Sequence, residues 1–144
     1  LGPRVLEFNC RLGDPETQPL LMRMTSDLVP LLLATVDGTL EKCEAPTWDA
    51  GTAVCVMATS AGYPGEFGKG VPIHGLDQIE RSPQLMVFHS GTVRRATETV
   101  TSGGRVLATC ALGKDAREAR ERAYAAMGKI EFAGMHYRKD IAGR

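Results

Sequence analysis

Residues 4–18 read Arg4-Val5-Leu6-Glu7-Phe8-Asn9-Cys10-Arg11-Leu12-Gly13-Asp14-Pro15-Glu16-Thr17-Gln18, and apolar and polar side chains alternate over the first six. That alternation predicts a short strand over 4–9. Side chains two apart on a strand share a face, so Glu7 and Asn9 line up together, with Arg11 next in the same row. Gly13 and Pro15 then interrupt the pattern and predict a loop over 11–18. Pro15 suits the first position of a helix, with Asp14 as its cap and Glu16 and Gln18 following.

Working outward, a second helix is expected after Ser26-Asp27, running through 28–36 and stopping at Asp37-Gly38. Pro30 is compatible with it because it falls in the first turn. From Thr39 to Asp49 charges, Pro46 and a lone Trp48 replace the apolar pattern, and a domain boundary is placed there. Strands are predicted over 52–59, 85–89 and 105–112, separated by Gly- and Pro-rich turns. One amphipathic helix follows over about 115–130, with Ala119, Ala123, Met127 and Ile130 on one stripe and Asp115 and Glu118 placed as a capping box. A last short strand is expected over 135–138. Strands followed by a late helix, without regular βαβ alternation, predict an α+β fold rather than a doubly wound sheet. There is also no GxGxxG and no GxxxxGK[ST] phosphate loop.

Composition narrows the partners. Hydrophobic residues make up 43% of 144, enough for one packed core, and seventeen basic side chains cancel seventeen acidic ones. That balance gives no electrostatic case for nucleic acid or an anionic membrane. The longest apolar run, 28–36, contains Pro30 and is too short to span a bilayer. Cys10, Cys43, Cys55 and Cys110 form no CxxC pair and no zinc-type spacing. Cys55 and Cys110 lie within apolar runs and read as reduced, buried thiols, which fits a cytoplasmic setting.

Two readings fit Glu7 and Asn9. One is a half-exposed strand with a polar face. The other is a pair of hard oxygen ligands suited to Mg²⁺, which takes few protein oxygens beside water and phosphate. Arg11, just beyond, has the fork that grips a phosphate oxygen pair. Asp14 and Glu16 suit either helix capping and the helix dipole or a substrate contact. Gly103-Gly104 before Arg105 allows a close backbone approach, with Arg105 either free for a phosphate or simply exposed on a hairpin. His89 reads as structural, and His74 and His136 have no partner pattern.

Glu7-x-Asn9 resembles the metal signature of the ATP-grasp superfamily. The run Leu6–Gln18 is similar to the phosphoribosylamine–glycine ligase (glycinamide ribonucleotide synthetase) family. Further matches follow in that family's order: Ser26-Asp-Leu-Val29, Val36-Asp-Gly38, Gly62-Tyr-Pro-Gly65, Val87–Thr92, Gly103–Leu107 and Tyr137–Ile141. The resemblance implies that residues 1–40 end an ATP-grasp domain and 41–144 form a small, mainly antiparallel C-terminal domain with one long helix. It also implies an ATP-dependent ligase of purine biosynthesis joining glycine to 5-phosphoribosylamine through a glycyl phosphate. Glu7 and Asn9 would hold Mg²⁺ or Mn²⁺, Arg11 would steady the acyl phosphate, and Asp14, Glu16 and Arg105 would meet substrate.

The resemblance has departures. Val93–Thr99 replaces a lysine-rich turn, and Pro30 replaces a polar helix position. The chain starts at Leu1, so the nucleotide-clamping residues of such an enzyme are expected upstream, and the chain alone is expected to be inactive. The rival expectations are another ATP-grasp ligase or carboxylase, or a non-enzymatic C-terminal module.

Overall fold

The computed structural model describes residues 2–143. Helix α1 spans Thr17–Arg23 and α2 spans Val29–Asp37. Strand β1, Thr52–Thr59, is followed by β2, Leu85–His89, a hairpin of β3, Thr92–Arg95, and β4, Glu98–Thr101, then β5, Arg105–Gly113. Helix α3, Ala116–Met127, comes last. The main sheet is antiparallel in the order β1-β5-β2, and β3 and β4 form a second two-stranded sheet. The fold is therefore α+β, as the pattern of elements predicts.

β5 is the centre of the molecule because it pairs on both edges and is covered on both faces. Its residues 106–111 are all buried, so that strand reads as an apolar run rather than an alternation. On one face Val54, Val56, Leu107 and Ala111 pack against Ala119, Ala123 and Met127 of α3. Small alanines at spacings of three and four let that helix sit close to the sheet. Thr109 is fully buried on the same face, and its hydroxyl donates to the Ala123 carbonyl at 3.0 Å. The Asp115 carboxylate caps α3 by accepting the Glu118 N–H at 2.9 Å, while the Glu118 carboxylate accepts the Lys114 N–H at 2.7 Å. Helix α1 covers the other face. α2 ends on Gly38 at φ 66°, a left-handed position that glycine takes without strain.

Three expectations change. Residues 4–9 form no strand, and Leu6 and Phe8 are 97% and 86% exposed. A strand needs a neighbour to take its backbone N–H and C=O groups, and among the described residues none pairs with this segment. The first helix opens at Thr17 with Glu16 at the cap position, two residues later than Pro15 and Asp14 suggest. The Asp14–Pro15 peptide bond is cis, and both residues belong to the preceding turn. The last strand shrinks to one bridge between His136 and Thr59. Among the described residues no helix is long and apolar enough to cross a membrane.

Candidate functional site

The polar row survives without its strand. The Asn9 side-chain N–H donates to a Glu7 carboxylate oxygen at 2.9 Å, so the two side chains converge on the exposed side of the segment. The second Glu7 oxygen and the Asn9 amide oxygen remain available. A carboxylate oxygen and an amide oxygen are hard donors of the kind Mg²⁺ takes beside water and phosphate. No group of three or more His, Cys, Asp and Glu side chains converges among the described residues, so such a cation would need those outside ligands. Arg11 points along its own backbone toward the Leu12 carbonyl and leaves most of its donors free.

Residues 13–18 are tightly folded. The Thr17 N–H and hydroxyl both donate to the Gly13 carbonyl. The Asp14 carboxylate accepts the Gln18 amide at 2.7 Å, and the Glu16 carboxylate folds back over Gly13. Asp14 and Glu16 thus shape this loop.

Arg105 joins the loop to the sheet. Its guanidinium donates to the Asp14 carbonyl and lies 5.8 Å from the centroid of the Tyr63 ring. The glycines before it explain the geometry. A Cβ on Gly104 would come within 2.2 Å of the Tyr63 ring, and one on Gly103 within 3.0 Å of Gly91. The close approach that the two glycines permit is thus made by other parts of the chain. Gly62-Tyr63-Pro64-Gly65 seats its aromatic ring on Gly104, and the guanidinium faces that ring.

Between this loop and the C-terminal segment lies a cavity of about 330 Å³, walled by Pro15, Cys55, Thr59, Arg105, His136 and Arg138 among others. Arg138 is already engaged, donating twice to the Asp140 carboxylate at 2.9 and 2.6 Å. That pairing holds Asp140 below the usual carboxylate range. Cys55, Thr59 and His136 had no role by sequence; only folding brings them beside Pro15 and Arg105. His89 lies apart from this cavity, sharing a hydrogen bond with the Thr92 hydroxyl at 2.9 Å. Burial, and then the Arg81 charge, hold its pKa below the usual histidine value, as suits a structural imidazole.

Residues 53–144 match the family described as phosphoribosylglycinamide synthetase, C domain. The chain belongs to that family. A phosphoribosylamine–glycine ligase from Phenylobacterium zucineum is 50% identical over 99% of this chain and 34% of its own length. Another, from Caldanaerobacter subterraneus subsp. tengcongensis, is 48% identical over 98% of this chain and 33% of its own. The crystal structure of the Thermotoga maritima phosphoribosylamine–glycine ligase superposes with a TM-score of 0.77 at 33% identity, covering 96% of this chain and 33% of that one. The chain therefore spans about one third of the length of the curated relatives it matches. In this member of the synthetase family, the family match covers β1 onward, whereas the similarity to the ligases extends over nearly the whole chain.

Proposed function

We propose that this chain is part of an ATP-dependent ligase that joins glycine to 5-phosphoribosylamine in purine biosynthesis, in the cytoplasm. The observation that carries the reading is about 50% identity to phosphoribosylamine–glycine ligase over 99% of the chain. The division proposed is 1–40 as the end of the ATP-grasp domain and 41–144 as the C-terminal domain. What supports it is burial: apart from Ala34, the buried apolar residues lie between 54 and 132, while Val5, Leu6, Phe8 and Val36 are exposed, although α1 packs across the boundary onto β1 and β5. Those exposed residues are proposed to meet the remainder of the same enzyme.

In this reading a glycine carboxylate oxygen attacks the γ-phosphorus of ATP, the bond to ADP breaks, and glycyl phosphate forms. The sugar amine then attacks the glycyl carbonyl carbon, phosphate leaves, and the nitrogen loses a proton to give glycinamide ribonucleotide. Glu7 and Asn9 would hold Mg²⁺ or Mn²⁺, which when bound offsets charge on the phosphates. Arg11 presents a planar fork to acyl-phosphate oxygens, where a bidentate grip fixes orientation. Asp14 and Glu16 shape the loop beside the amine, and Arg105 holds that loop to the sheet. The test is phosphate release by the full-length enzyme. Release should require glycine and 5-phosphoribosylamine together, and efficient turnover with bicarbonate or D-alanine instead would favour a different ATP-grasp reaction.

A further inference from the structure

Cys55 on β1 and Cys110 on β5 are directly opposed in the sheet register. Opposed residues of an antiparallel pair project to the same face with Cα atoms about 4.5–5.5 Å apart, inside the span a disulfide bridges. Both are free thiols, and the register sets the two side chains next to each other. Their burial differs in a useful way. Cys110 is fully buried, whereas Cys55 is partly exposed and lines the 330 Å³ cavity beside Pro15 and Arg105. A small molecule in the cavity can therefore reach Cys55, and Cys110 lies buried directly opposite it.

We propose that Cys55 and Cys110 form an oxidative modification site, in which Cys55 reacts with a hydroperoxide entering the cavity and Cys110 resolves the product to a cross-strand disulfide. The Cys55 sulfur attacks one peroxide oxygen, the O–O bond breaks, and the departing oxygen leaves as water or an alcohol. The resulting sulfenic acid is attacked by the Cys110 sulfur. The S–O bond breaks, its oxygen leaves as water, and the disulfide forms. The hydroperoxide gains the two electrons that the thiols lose, and both thiol protons end in the released water or alcohol. The register carries this inference, independently of the ligase reading.

The surroundings set the rate. The adjacent Cys110 thiol first, then burial, then the carboxylates of Asp14 and Glu16 push the Cys55 thiol up. Because the thiolate is the nucleophile, oxidation should be slow at neutral pH and faster as pH rises. The disulfide would draw the opposed Cβ atoms from about 5 Å toward about 3.8 Å, tightening the cavity floor beneath Pro15.

The test treats the folded full-length protein with hydrogen peroxide, blocks remaining thiols, and maps peptides without reductant. A peptide pair joining Cys55 to Cys110, lighter by two hydrogens and separated by dithiothreitol, is expected, and it should form faster at about pH 9 than at about pH 7. In Cys110→Ser, Cys55 should accumulate as a sulfenic acid that dimedone captures. In Cys55→Ser, the linked pair should vanish while Cys110 stays reduced. Recovery of Cys55 and Cys110 as free thiols after Cys10 has been oxidised would overturn the proposal. Linkage of Cys55 to Cys10 or Cys43 instead would do the same.

Discussion

Glu7 and Asn9 meet because of spacing alone, and Arg105 meets Asp14 because of the whole fold. The first joins residues two apart, so their contact is local, although the strand expected to align them does not form. The second joins residues 91 apart and was not legible in the sequence, although Gly103-Gly104 marked the close approach beside it. In the full-length enzyme, Glu7→Gln keeps the shape and deletes one negative charge from the proposed metal pair. The loss should fall on kcat by about 10²-fold or more, roughly 2.7 kcal/mol of transition-state stabilisation. The melting temperature should barely move, because the side chain is exposed. A near-normal kcat across a range of Mg²⁺ concentrations would leave the pair a surface feature. Arg105→Gln removes the guanidinium that holds the Asp14 carbonyl. Steady-state kinetics should show KM for the amine rising more than kcat falls. Arg105→Lys, which retains a cation but loses the planar face, should lie between. Unchanged KM in both variants would separate the anchored loop from amine binding.

The elements that were legible are those whose apolar pattern is local and strong. β1 and β2 begin and end where their apolar runs meet turn residues, and β5 runs one residue longer than expected. α3 stops at Met127 rather than near 130, where Gly128 follows. The segment 4–9 has a strand's alternation without a neighbour, and alternation cannot supply one. The β3–β4 hairpin was obscured because Arg94, Arg95 and Glu98 are exposed and carry little apolar signal. Two element-level predictions follow from what holds these pieces. Gly104→Ala puts a methyl group into the space of the Tyr63 ring, so denaturant unfolding should show a loss of about 1–3 kcal/mol, typical of overpacking. An unchanged midpoint would mean the Tyr63 loop yields freely. The cap of α3 gives the pH prediction. The Glu118 N–H, first among its causes, holds the Asp115 carboxyl below the usual carboxylate value. A depressed folded pKa contributes stability above the unfolded value, and that stability is lost as pH falls through the folded one. Thermal unfolding followed downward from about pH 5 should therefore lose less stability in Asp115→Asn than in the parent chain. Parallel curves would rule the cap out as a source of acid sensitivity.

At the scale of the molecule, the packed core and the proposed chemistry occupy different parts of the chain. Residues 54–132 hold nearly all the buried apolar side chains, whereas Glu7, Asn9 and Arg11 stand on an exposed segment before the first helix. Binding ATP takes more than a metal pair. It requires a surface for the base and several donors aimed at the phosphates, usually pre-organised backbone N–H groups or lysines. This chain has no glycine-rich phosphate loop. Of the cationic side chains lining the cavity beside Pro15, Arg105 is committed to Asp14 and Arg138 to Asp140. Arg11 alone could not offset a triphosphate. The polypeptide of residues 1–144 titrated with ATP and Mg²⁺ in a calorimeter should therefore give no heat of binding in the micromolar range. The full-length enzyme under the same conditions should give a saturable isotherm that Glu7→Gln weakens less than it slows turnover, since the lost charge matters most as the phosphoryl group moves. Micromolar binding by residues 1–144 alone would show that the nucleotide site is contained in this part of the enzyme, and the proposed division of labour along the chain would be wrong.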